Sequence, residues 1–289
     1  MSILTETQIP PPEKKIADHR NSHQATFFRR IFSGLTSAGA RHGNGTALLI
    51  PPEMTLFHIT HWKAGSQWIG GMLQHIFTPD FEPAEVDEAQ VFTRPIKSGK
   101  VYRCVYVSRQ EYQSFAPASS RYFVLLRDLR DTLVSSYFSV RNSHGLDTPA
   151  LEKMRTVLTS LDEEEGLRYL MECWLAGSAL IQRSWLEAGE QCFKFEDFLQ
   201  DAAGQLERMF HENWGIEVER SLIEEVAARH TFKKLSRGRQ AGEEDIKSHY
   251  RKGIAGDWRA HFTPKLTARF KYLYNDLLVG AGYERDGNW

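Results

Sequence analysis

The chain has 289 residues, 41% of them hydrophobic and 25% charged, and a formal net charge of −1. This is chain enough for one large α/β domain with a substantial core, and the charge balance gives no bulk electrostatic reason to hold nucleic acid or an anionic membrane. Three cysteines, Cys104, Cys173 and Cys192, are too few and too far apart for a disulfide framework or a metal-binding pair, so a reducing, cytoplasmic setting without a bound metal is expected.

Residues 1–50 are rich in Pro, Gly, Ser and charge, carry one amphipathic stretch at 25–32, and are expected to form a partly flexible arm ahead of a domain at 51–289. They lack the apolar segment of a signal peptide, and no run downstream is long enough to cross a membrane. Strand-like runs follow at 54–60, 101–107, 122–126 and 191–195, separated by helical patterns after Gly65, after Asp128 and across 166–188. Such alternation predicts right-handed crossovers and a single α/β domain with a central parallel β-sheet flanked by helices. Across 166–188, Leu167, Leu170, Met171, Trp174 and Ile181 form one apolar stripe that core packing explains, and the acidic cluster at 162–165 reads as a helix N-terminal turn. A last helix is predicted near 266–278.

Three stretches carry chemistry. In Thr60-His61-Trp62-Lys63-Ala64-Gly65-Ser66-Gln67-Trp68, an apolar strand ends, a turn holds a Lys and a Gly, and a helix begins. Backbone N–H groups at a helix start, the positive end of its dipole and a mobile Lys63 together make a P-loop-like cradle for a phosphate or sulfate ester. The second stretch runs from Arg121 to Phe138, where Arg127 leaves a strand and Ser135 lies about two helical turns onward, so that both can hold a second anion. The third is His249-Tyr250-Arg251-Lys252-Gly253-Ile254-Ala255-Gly256-Asp257-Trp258, in which two adjacent cations precede a glycine whose N–H is free to approach the same phosphate.

With these motifs the chain resembles the cytosolic sulfotransferase family. That family's donor is 3′-phosphoadenosine 5′-phosphosulfate (PAPS), and 3′-phosphoadenosine 5′-phosphate (PAP) is left as product. Its phosphosulfate loop, Thr-Tyr-Pro-Lys-Ser-Gly-Thr-Thr-Trp, is similar to Thr60–Trp68. Its Arg-x-x-x-Asp-x-x-Val-Ser-x-Tyr motif matches Arg127, Asp131, Val134, Ser135 and Tyr137, and its Arg-Lys-Gly-x-x-Gly-Asp-Trp motif is reproduced from Arg251 to Trp258. The resemblance implies that Lys63, Gly65, Ser66 and Gln67 hold the 5′-phosphosulfate and that Arg127, Ser135, Arg251, Lys252 and Gly253 hold the 3′-phosphate. It also implies that Trp68 and Phe232 sandwich adenine. Gln67 and Phe195 stand where the family has Thr and Tyr. The implied acceptor is a hydroxyl or amine on a small or lipid-like molecule, and the implied electrostatic catalyst is Lys63.

The chain departs from the family at the general base. Counting about 22 residues back from Arg127, where the family has Lys-Thr-His, gives Arg103-Cys104-Val105, which leaves Arg103 as a cation that could face the sulfuryl group. Among other candidates His144 ranks first, at the end of the helix after Arg127; His249 and His61 come next, then Glu111. An acceptor pocket is expected from the segment after Lys97, the loop at 144–155 and the lid at 237–250, with aromatics including Phe92, Tyr102, Tyr106, Phe138 and Trp185 hinting at an apolar acceptor. Two other readings stay open. A P-loop kinase would want a Mg²⁺-binding Ser or Thr directly after Lys63, where Ala64 stands, and a non-catalytic binder of nucleotides or sulfated ligands is left open by the missing histidine.

Overall fold

The computed structural model describes residues 50–78, 80–82, 95–145 and 148–289. The expected arm, with its stretch at 25–32, lies outside the described residues except for Ile50, as does Phe92.

The sheet is built on β1 (Thr55–Ile59), five residues that are all buried, as a strand covered on both faces must be. With β2 (Phe81–Glu82), β3 (Val101–Val105), β4 (Ser120–Leu126) and β5 (Cys192–Lys194) it forms a five-stranded sheet in the order β2-β3-β1-β4-β5, with every pairing parallel. Strand β2 has no sequence signal, because two residues are too short to show a period. Against β3 the register shifts: Phe57 pairs with Tyr102, but Ile59 pairs with Val105, so β3 carries one extra residue.

Helices cover both faces. Helix α1 (Ser66–Phe77) follows β1, and α2 (Arg109–Phe115) opens with a Ser108–Glu111 capping box. Helix α3 (Leu129–Phe138) follows β4 and runs into a π turn at Ser139–Ser143. Helix α4 (Pro149–Ser160) replaces most of the loop expected at 144–155, with Thr148 capping and Pro149 in the first turn. The single helix expected across 166–188 is two, α5 (Glu163–Cys173) and α6 (Leu175–Glu187). The break falls at Trp174, which is fully buried and sets its ring edge-on to Trp62 at 4.6 Å. Asp162 caps α5 as the acidic cluster implies. Beyond β5 come α7 (Phe195–Gln200), α8 (Ala202–Met209), α9 (Arg220–Arg229), α10 (Phe232–Leu235) and the final α11 (Pro264–Gly280).

One face of the sheet packs Ile69, Leu73 and Phe77 of α1 against Phe210, Trp214 and Val226. The other packs Phe57, Tyr102, Val105 and Val124 of the strands against Tyr112 of α2 and Trp185 of α6, and a third core joins Leu133 of α3, Leu170 of α5, Trp174 at the α5–α6 break and Phe270 of α11. Because β1 and β4 are neighbours while their following helices pack into different cores, the loops leaving their carboxyl ends lie side by side over a crevice. Among the described residues no helix is long and apolar enough to cross a membrane.

Candidate functional site

A cavity of about 350 Å³ opens where those two loops meet the segment at 236–256. Lys63, Gly65, Ser66, Gln67, Trp68, Arg127, Ser135, Phe232, Arg251, Lys252 and Gly253 all line it, so three stretches far apart in sequence share one chamber.

The first loop takes its shape from two left-handed residues, Lys63 (φ 62°) and Gly65 (φ 81°). Gly65 is obligatory on a second count: an added Cβ would lie 2.5 Å from the Phe195 ring. The turn delivers the chain to the start of α1, where the first amides have no carbonyl to bind and Gly65 itself accepts from the amides of Trp68 and Ile69. Thr60 Oγ1 donates to the Leu125 carbonyl at 2.9 Å, and the Arg127 guanidinium donates to the Lys63 carbonyl at 2.8 Å, which locks the β1 and β4 loops together. Arg127 also lies 4.6 Å over the Phe195 ring, and its buried Nε has no hydrogen-bond partner among the described residues.

Asp131 accepts from the amides of Gly256 (2.6 Å) and Trp258 (3.0 Å), so the carboxylate four residues after Arg127 carries the third stretch to the second. Gly253 has φ 67°, and a Cβ there would fall 2.2 Å from Phe232, so backbone and ring meet in direct contact. Lys252 Nζ donates to Asp257 at 2.6 Å, while Arg251 pairs with both Asp257 and Glu244. Burial alone would raise the Asp257 pKa, but His261 close by and the hydrogen bonds from Lys252 and Arg251 hold it well below the carboxylate range. Trp68 fixes one wall by donating from its indole N–H to the His230 carbonyl at 2.8 Å.

Lys63 sits at the focus. Its ammonium donates to Ser139 Oγ at 3.2 Å, and burial, with Arg127 and Arg251 close by, lowers its pKa to about 7. Such a convergence of cations costs free energy until an anion offsets it. The Arg127 Nε without a partner, the two glycine contacts and the helix start fit a doubly anionic adenine nucleotide.

The structure sorts the candidate bases. His144 and His249 line the cavity; His249 is lowered to about 3 by the Lys63 charge, with burial and His144 adding to it. His61 is a correction. It is completely buried, its Nδ1 faces the Trp62 carbonyl at 3.0 Å, and its Nε2 meets the Arg127 amide at 3.2 Å and Gln182 at 2.8 Å. Burial keeps it neutral, with a pKa near about 4, and its lone pair already holds the β4 loop. Glu111 is likewise engaged, accepting from the Ser108 amide and hydroxyl in the capping box of α2. Arg103 does not face the cavity either. Its chain lies against Gly70 and its guanidinium stacks 5.3 Å over Phe81.

Sequence reasoning gave no role to two residues placed here. Ser139 follows the end of α3 and holds Lys63. Arg130 is 2% exposed, bonded to Asp128 and Glu284 and sandwiched between Trp258 (4.0 Å) and Trp289 (4.4 Å), bracing the root of α3. Tyr106, one of the aromatics expected near the acceptor, lines the cavity just beyond β3. Of Ser139 and Arg130, Arg130 alone had a signal, in the tryptophans of the C-terminal half. Among the described residues no group of three or more His, Cys, Asp or Glu is placed to hold a metal.

The family model for the sulfotransferase domain matches residues 55–282. Human sulfotransferase 1C2 is 21% identical over 215 residues, covering 69% of this chain and 67% of that protein. Among solved structures, mouse sulfotransferase SULT7A1 complexed with PAP is similar with a TM-score of 0.56 at 17% identity, over 81% of this chain and 88% of that one. Retinol dehydratase in complex with retinol and PAP gives a TM-score of 0.49 at 15% identity, over 79% and 82%. The matched stretch runs from the first residue of β1 past the end of α11 and includes all three motifs. On that ground the chain belongs to the sulfotransferase family, enzymes whose sulfuryl donor is PAPS.

Proposed function

We propose that the protein moves a sulfuryl group from PAPS to a hydroxyl or amine of a small or lipid-like acceptor. The single observation that supports this most is the meeting of Lys63, Arg127 and Arg251 in one cavity, where the two arginines add to burial in lowering the lysine's pKa. When bound, the donor supplies a sulfuryl group whose S–O bond to the 5′-phosphate breaks as a bond to the acceptor oxygen or nitrogen forms.

The chain's own residues then divide the work. Arg127, Ser135, Arg251, Lys252 and Gly253 grip the 3′-phosphate, and Trp68 and Phe232 flank the base. Lys63, Gly65, Ser66, Gln67 and the α1 amides hold the 5′ group. Lys63 neutralises charge on the departing phosphate, and this electrostatic work is the largest part of the rate expected from the site. The acceptor's proton goes to a histidine of the same cavity. His249 takes precedence over His144 because it lies close enough to Lys63 to feel its charge, and the anion of a bound donor offsets the charge that holds its basicity down. Trp62, His144 and Tyr250, which line the same cavity and have no part in holding the donor, are left to border the acceptor. Three free thiols fit a reducing, cytoplasmic setting for this chemistry.

A thermal-shift titration separates this reading from its rivals. PAP stabilises the protein strongly and ATP weakly if it holds, whereas a stronger response to ATP with Mg²⁺ favours a kinase. Transfer from labelled PAPS to a panel of alcohols, phenols and amines then separates enzyme from binder. In that assay His249→Ala loses turnover while retaining PAP affinity.

A further inference from the structure

The extra residue in β3 does more than interrupt a ladder. Up to Tyr102 the strand keeps register with β1; after Cys104, which adopts a left-handed φ of 56°, the pairing has advanced by one residue. Since faces alternate along a strand, one inserted residue reverses every side chain beyond it. Val105 therefore turns into the core at 1% exposure, and Tyr106 turns into the cavity. A non-glycine residue held in the left-handed region is strained, and such strain persists where the surroundings impose it.

What the reversal achieves is a clasp on Ser66, the first residue of α1. The Cys104 thiol donates to the Ser66 carbonyl at 3.2 Å, and the Tyr106 hydroxyl donates to Ser66 Oγ at 2.8 Å. With its oxygen accepting from Tyr106, the Ser66 hydroxyl must send its one hydrogen elsewhere, and no acceptor for it exists among the described residues. Burial pushes the Tyr106 phenol well above its usual range, so it stays protonated and keeps donating.

We propose that Tyr106 is a positioning residue: through the bulge at Cys104 it orients the Ser66 hydroxyl as a donor to the 5′ anion of the bound nucleotide. This rests on the proposed donor site.

The test compares two ligands by calorimetry: PAP, which carries the 5′-phosphate, and adenosine 3′-phosphate, which lacks it. Tyr106→Phe keeps the ring and removes the donor. It is expected to weaken PAP binding by about 5- to 20-fold while changing adenosine 3′-phosphate binding less than about 2-fold. Ser66→Ala narrows the same gap, and the double variant is no weaker than Ser66→Ala alone, because one residue acts through the other. Equal losses on both ligands, no loss on either, or losses that add in the double variant each overturn the inference. If the unaltered protein binds neither ligand, it is the donor site itself that falls.

Discussion

The loop at 60–68 and the segment at 236–256 bring positive charge to the same cavity, yet they are held in opposite ways. The loop hangs from a fully buried strand, and hydrogen bonds from Thr60, Arg127 and Gln182 tie it to β4 with no ligand needed. The later segment is mostly turns and bends. Arg239 fastens it by donating to the Arg251 carbonyl at 2.7 Å, Asp131 by accepting the Gly256 and Trp258 amides, and Arg251 and Lys252 are paired with Glu244 and Asp257. Half of the pocket is thus preformed, and half is a set of ion pairs with which an incoming phosphate must compete.

The largest expected effect falls on the preformed half. Lys63→Met should lower single-turnover sulfuryl transfer by about 100- to 1,000-fold, since it removes the charge beside the departing phosphate. Its melting temperature should hold or rise, because a cation crowded by Arg127 and Arg251 is lost. Retained turnover would remove Lys63 from the chemistry.

The two arginines come next, and they set the halves against each other. Arg127→Ala is expected to weaken PAP by about 30- to 100-fold, and Arg251→Ala by only about 5- to 10-fold, as Arg251 has Glu244 and Asp257 to give up on binding. Equal losses in calorimetry would erase the distinction.

Protons report the same asymmetry. A Lys63 held near about 7 is largely deprotonated at higher pH, and an anion restores its proton; PAP binding should therefore take up close to one proton near pH 8 and almost none below about pH 6. Titrations in buffers of different ionisation heat measure this, and Lys63→Met should abolish it.

The smallest effect concerns Asp257 and His261. The depressed Asp257 carboxylate contributes stability above its unfolded value near 4, lost as pH falls through the lowered one. The raised His261 contributes below its unfolded value near 6.5, lost as pH rises through the raised one. Asp257→Asn should thus lower the melting temperature by about 2–4 °C, most clearly between about pH 4 and 6.5.

Much of this was legible because the chemistry is local: a Lys and Gly between strand and helix, an Arg at a strand end, and an Arg-Lys-Gly run each announce an anion contact on their own. That they face one another comes only from neighbouring parallel strands and from Asp131 reaching across to Gly256, a partnership no spacing reveals. His61 read as chemistry and proved to be a brace, since adjacency to Lys63 in sequence says nothing of burial. The Cys104 bulge was invisible, as a single inserted residue leaves the apolar run unchanged while turning Val105 and Tyr106 to opposite faces from those the count assigns them. Missed caps at Ser108-x-x-Glu111 and Thr148-Pro149 were readable signals for α2 and α4.

A crystal structure with PAP bound decides whether the preformed loop and the ion-paired segment serve one ligand. The expected density shows a single nucleotide whose 3′-phosphate is contacted by both Arg127 and Arg251, with Arg251 released from Glu244 and Lys63 beside the 5′-phosphate. A nucleotide contacting one arginine while the other keeps its present partners, or lying outside the cavity altogether, would contradict it.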